Sequence, residues 1–249
     1  MLSKLSAGLV ATGLLLLGVP AQAAPISFTL APMTVEHSVP GKGEVTGVIG
    51  VTHELPPGAK KSELEPMKLR VYAMDWDLDR KGQPNFQKPG SFPGNCSTWV
   101  QINPVDLTVP PGEKRDVRYT IRVPEGVQGT FHTVIMFETA QQAQKEGARV
   151  VTVSGRVGTT IYVQVGPQSK RARISAFSVT PEKSVVTVQN TGTSHVRLQG
   201  QLQFRDEAGK MVSQVPLPGG VVLPGSSNVR EFAVETPKLP GSGKYSVTA

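Results

Sequence analysis

Between Trp99 and Phe137 apolar and polar positions alternate: Val117, Tyr119, Ile121 and Val123 share one parity, and Arg118, Thr120 and Arg122 take the other. A period of two marks a strand with one face buried and one in water. Leu107-Thr-Val-Pro-Pro-Gly112 before it and Val123-Pro-Glu-Gly126 after it are turn punctuation, and a second apolar run, Phe131 to Phe137, follows. The unit reads strand, turn, strand, turn, strand, from which sandwiches of two antiparallel sheets are built.

The rest of the chain repeats this grammar. Ile26 to Glu36 and Val45 to His53 read as two strands joined by Pro40-Gly-Lys-Gly43, and Leu69 to Trp76 as a third. Gln83 to Asn95 reads as irregular, and Gln141 to Gly147 as a charged connector of at most one helical turn. Val150 to Val165 reads as one long last strand. It carries Val151, Val153, Val157, Ile161 and Val163 on one parity, with Gly155 and Gly158 breaking the side-chain rows in the manner of a bulge or kink. Gly166 to Arg171 is polar and aperiodic, so a domain boundary is placed after residue 168.

Beyond it Val196, Leu198, Leu202 and Phe204 alternate with Arg197, Gln199, Gln201, Gln203 and Arg205. Val185 to Val188 precede this strand, turns at Asp206-Glu-Ala-Gly209 and Leu223-Pro-Gly225 follow, and Tyr245 enters a last element as a corner tyrosine does. No segment sustains a 3.6-residue period. The expected fold is all-β, two immunoglobulin-like β-sandwich domains in tandem over 24–168 and 169–249, the second one strand short of the usual set.

Composition adds a compartment. Lys4, the apolar run Ala7 to Val19 and Ala21-Gln22-Ala23 have the form of a secretory signal peptide over residues 1–23. No Cys follows it to take a lipid, and no later run is long enough to span a bilayer, so no membrane anchor is expected. Removing the signal leaves 226 residues and a formal charge of +6. That size suits two domains of roughly 100 residues each. Cys96 is the only cysteine, so no intramolecular disulfide is available and burial across the sheets must supply the stability. The basic charge is scattered, and the longest run, Lys170-Arg171-Ala-Arg173, has no interleaved aromatic platform; binding of nucleic acid is not expected.

Active-site grammar is sparse. His37, His53, His132 and His195 are dispersed, with no His-x-x-x-His and no cysteine pair, which argues against zinc. There is no Gly-x-Ser-x-Gly elbow. Asp75, Asp77 and Asp79 alternate as ligands of a calcium loop do, but Arg80 stands where that loop needs Gly and Phe86 where it needs Glu. A solvated strand edge accounts for the three carboxylates. Cys96 has no neighbour in sequence that would activate it and reads as an inert, partly buried thiol. No enzyme activity and no cofactor are expected.

Trp99-Val-Gln-Ile-Asn-Pro104, Leu107-Thr-Val-Pro-Pro-Gly112, the Val117 to Val123 strand, Gly129-Thr-Phe131, Val188-Gln-Asn-Thr-Gly192 and Leu223-Pro-Gly225 together resemble the periplasmic pilus-assembly chaperones of the chaperone-usher type. The resemblance covers nearly the whole mature chain and implies two angled immunoglobulin-like domains. It also implies a periplasmic, monomeric protein that binds exported pilin-like or surface-protein subunits by lending an edge strand to an incomplete fold. By position the lending strand is Val150 to Val163, and the implied partner-binding residues are Val151, Val153 and Val157 with Arg149 and Arg156. The same valines could instead face the domain's own core, and parity alone does not separate the two readings. Such chaperones carry a basic residue in the first strand, which Ile26 to Glu36 lacks. The alternative class is a non-catalytic surface or adhesive binding module in which the domains are spacers.

Overall fold

The computed structural model describes residues 28–140, 142–146, 149–241 and 243–249, and for 142–146, 149–153 and 226 the backbone alone. The expected signal peptide lies outside the described residues. The fold is all-β; the only helices among the described residues are three single 3₁₀ turns. Strands β1 (Phe28–Ala31), β2 (Thr34–Val39), β3 (Gly43–His53), β4 (Met67–Leu78), β5 (Pro84–Gln87), β6 (Val100–Asn103), β7 (Asp106–Val109), β8 (Lys114–Val123), β9 (Gly129–Thr139), β10 (Gln142–Glu146), β11 (Arg149–Val153) and β12 (Arg156–Val165) build the first domain. One sheet runs β1-β3-β8-β6, the facing sheet β2-β12-β9-β4-β5 with β7 also on β4, and β10-β11 form a separate hairpin.

The core follows from the alternation. Ile49, Val51, Val117, Tyr119 and Ile121 of one sheet meet Leu69, Val71, Ile135, Phe137, Ile161 and Val163 of the other, all buried. Tyr119 fits because Gly47 lies opposite: a Cβ there would fall 2.2 Å from the tyrosine hydroxyl. That hydroxyl lies 2.9 Å from His37 Nε2, and burial pushes Tyr119 up to about 12.

Four expectations are corrected here. Gln83 to Asn95 is not irregular throughout: Pro84–Gln87 is β5, paired antiparallel with the end of β4. Ile26 to Glu36 is not one strand. Pro32 has no N–H to give to a ladder, and on either side of it β1 pairs antiparallel with β3 while β2 runs parallel to β12 in the opposite sheet. Gln142–Glu146 is not a connector but β10, because the hairpin partner Arg149–Val153 satisfies its backbone whatever the local charge pattern suggests. The long last strand is two strands, β11 and β12, separated at Ser154 and Gly155.

The second domain contains β13 (Ala172–Val179), β14 (Lys183–Asn190), β15 (Val196–Arg205), β16 (Met211–Val222), β17 (Val229–Glu235) and β18 (Ser246–Thr248), in sheets β13-β14-β17 and β16-β15-β18. Val186, Val188, Leu202, Phe204, Val222 and Phe232 form its core. The Tyr245 hydroxyl donates back to the Pro240 carbonyl, closing the corner expected of it. The pattern gives no sign of β13. Its register shifts between Ile174 and Ala176, and that irregularity destroys the period of two.

A third apolar cluster joins the domains. Trp76, Val134, Met136 and Tyr162 on the outer face of the β2-β12-β9-β4 sheet close over Leu223 of the second domain, which is fully buried.

Candidate functional site at the open edge of β11 and β12

β12 has two unlike halves. Residues 160–165 pair with β2 on one side and β9 on the other, whereas 156–159 pair with β9 alone. At the boundary the Thr160 amide donates to the Met33 carbonyl at 3.0 Å and the Thr159 Oγ1 to the Pro32 carbonyl at 2.9 Å. β11 in turn pairs only with β10. The backbone of 149–153 and 156–159 therefore presents a strand edge that no other described strand covers. An uncovered edge offers its free N–H and C=O groups to an added strand.

The residues expected to bind a partner fall on this edge. Arg149, Val151 and Val153 lie in β11, opposite Glu146, Gln144 and Gln142. Val157 is half-buried at the rim of the first domain's core, on the row that continues inward to Ile161 and Val163. Arg156 is exposed, and its guanidinium donates to the Tyr72 hydroxyl at 3.4 Å, which donates in turn to Glu138 at 2.6 Å. Gly158 faces outward beneath Val134 and Met136; a Cβ there would lie 2.5 Å from one and 2.8 Å from the other.

At the closed end of β12 the strand meets the second domain. Tyr162 stacks on His195, with ring centroids 4.1 Å apart, and the Arg197 guanidinium lies 5.4 Å from the Tyr162 ring centre. Glu36 of β2 accepts from Arg197 at 2.8 Å and from His195 Nε2 at 3.2 Å. The Arg197 hydrogen bond, the largest cause, holds the Glu36 carboxyl below its usual range against the opposing effect of burial. Burial also pushes Tyr162 up to about 12. Further bonds join the domains: the Thr130 amide donates to the Thr193 carbonyl at 3.1 Å, the Glu231 amide to the Arg80 carbonyl at 2.6 Å, and Arg80 pairs with the Glu231 carboxylate at 3.3 Å.

Neither the histidine spacing nor the strand parity read for the first domain points to Glu36, Tyr162, His195 and Arg197. The available signal is that β4 and β9 are apolar on both parities, Tyr72, Met74 and Trp76 beside Leu69 and Val71, and Val134 and Met136 beside Ile135 and Phe137. A strand apolar on both faces is covered on both faces.

The residues read as chemically inert are placed differently from expectation. Cys96 is wholly buried in the first core, where burial and then the charge of Asp75 push its thiol far up. Asp75 is not solvated: it is buried and accepts from the amides of Ser91 at 2.7 Å and Phe92 at 3.0 Å and from the Ser97 hydroxyl, pinning the loop that leads to Cys96. Among the described residues no three His, Cys, Asp or Glu side chains are grouped to hold a metal ion, and no helix is long and apolar enough to cross a membrane.

No family model matches the chain, and no curated protein matches it in sequence. Solved structures do. The YadV chaperone superposes with a TM-score of 0.51 at 7% identity, over 88% of this chain and 90% of that one. The chain has the fold of the pilus-assembly chaperones. The class 5 fimbriae chaperone CfaA (TM-score 0.49, 10% identity, 89% of this chain and 98% of that one) is also similar. So is a chain of the CsuC–CsuE chaperone–tip subunit pre-assembly complex from the archaic chaperone-usher Csu pili of Acinetobacter baumannii (0.48, 12%, 89% and 97%). Identities this low speak to the fold, and the two-domain, all-β architecture expected from the sequence is the one observed.

Proposed function

We propose that this protein is a periplasmic, non-enzymatic chaperone that binds exported pilus or surface-structure subunits and stabilises them by lending the open edge of β11 and β12 as a strand. The observation that carries the reading is the uncovered backbone edge over 149–153 and 156–159, on a chain with the fold of pilus chaperones. Added strands gain affinity from backbone hydrogen bonds and specificity from alternate side chains. On β12 the inward row begins at Val157, at the rim of the core; Val153 and Val151 continue its parity in sequence. Each valine buried in a client contributes roughly 1.5 kcal/mol. The core reading of the valine row holds at Ile161 and Val163, and the client reading is proposed for Val151 and Val153. Arg149 and Arg156 flank the apolar positions in sequence, and the chain acts as a monomer until a client occupies the edge.

The test is Val151→Glu with Val153→Glu in the full chain, co-expressed with exported subunits from its own cell. The expected result is an unchanged melting curve with subunit no longer co-purifying. Retained capture with an intact fold overturns the reading. If the double variant melts early, Val151→Thr with Val153→Thr, which keeps the strand shape and removes apolar surface, is measured the same way.

A further inference from the structure

We propose that His195 is a proton-operated latch between the two domains: neutral, it holds their interface closed by stacking on Tyr162 and donating to Glu36; protonated, it lets the domains part. His195 belongs to the second domain, is 2% exposed, and reaches the first domain through these two contacts. Separation of the domains would return it to water, so its proton affinity differs between the closed and parted states.

The atoms decide the direction. Nε2 already donates to Glu36, so an added proton must go to Nδ1, which is buried and has no hydrogen-bond partner. Charging His195 in the closed state therefore creates a buried cation with an unsatisfied N–H, a costly arrangement. Glu36 offsets part of this, but its carboxylate also serves Arg197, the shorter of the two contacts. The other groups around the imidazole are the Tyr162 phenol on β12, His132 on β9, Arg197 on β15 and Lys170 before β13, and the cations among them add repulsion. Burial, the largest cause, holds His195 below its ordinary value near 6.5 despite Glu36.

The closed state thus binds fewer protons than the parted one. Its advantage is fully present above about pH 6.5 and is lost as pH falls toward the depressed value, with the closed-to-parted ratio dropping by up to about tenfold per pH unit. Glu36 acts in a lower window: its carboxyl is held below 4.5, so its contribution is lost only beneath that value. His132 is also lowered by burial, but its Nε2 donates to the Trp76 carbonyl within the first domain at 3.0 Å.

Trp76 reports the event. It is one of two tryptophans, buried in the cluster that covers Leu223, and a Trp99→Phe background leaves it alone. Between pH 7 and 5 its emission should shift reversibly to the red while small-angle scattering shows a larger radius of gyration. His195→Gln should flatten both curves across that window, and His132→Gln should leave the transition in place. A transition that persists in His195→Gln, or its absence in the parent chain, overturns the latch. If His195→Gln is already parted at pH 7, the parent decides: the His195 imidazole, followed by NMR, must titrate below 6.5 in step with Trp76, and titration at or above 6.5 refutes the proposal. No client protein enters these measurements, so they stand or fall apart from the strand-lending reading.

Discussion

The two halves of β12 share a strand, an alternation and a neighbour in β9, and differ in one thing. Residues 160–165 have β2 on their second side, and 156–159 have no other described strand there, only the contact at Thr159. In the covered half the inward row, Ile161, Val163 and Val165, is wholly buried and belongs to the core; in the uncovered half Thr159 is still buried beside β2, and Val157 is only partly covered. The contrast teaches that burial of the inward row does not by itself decide whether a strand serves its own fold or another's. The state of the backbone edge decides, and here it changes within a single strand where β2 stops pairing.

The contrast can be broken most forcefully at the covered end. Ile161→Ala removes a fully buried side chain where both sheets and both strand edges are in place, so little relaxation is available. A loss of about 2 to 5 kcal/mol in denaturant unfolding is expected. Cys96→Ser comes next. The thiol is wholly buried in the same core, and a serine hydroxyl there needs a partner, so a loss of about 1 to 3 kcal/mol is expected by the same measurement. A loss near zero would place Cys96 outside the packed core. Beside these, the paired glutamates in β11 should cost the fold little and the client everything.

The period of two made the architecture readable. Val117, Tyr119, Ile121 and Val123, and later Val196, Leu202 and Phe204, are buried where alternation placed them, with Arg118, Arg122 and Arg197 outward. What stayed hidden is what alternation cannot encode. β13 is masked by its register shift, the division of the first strand at Pro32 depends on β12, where Thr34 pairs with Thr160, and β10 exists because β11 does. Parity also could not show that the inward row of β12 runs from core to open edge, since the change lies in pairing rather than in side chains. The residues between the domains were hidden for a related reason. Tyr162 and His195 are brought together only by the packing of two domains, and each alone looks like an isolated polar or aromatic residue in a strand.

The most direct measurement of the central claim is backbone amide exchange along 149–165 in the full chain, alone and with an exported subunit bound. Alone, amides in 160–165 should exchange slowly, while those in 149–153 and 156–159 that do not bond β10 or β9 should exchange quickly, because nothing covers their edge. With the subunit bound, protection should rise by about a hundredfold or more over 149–159 and stay unchanged over 160–165. Equal exchange in the two halves of β12 in the free chain, or bound subunit with no gain of protection over 149–159, would contradict the account.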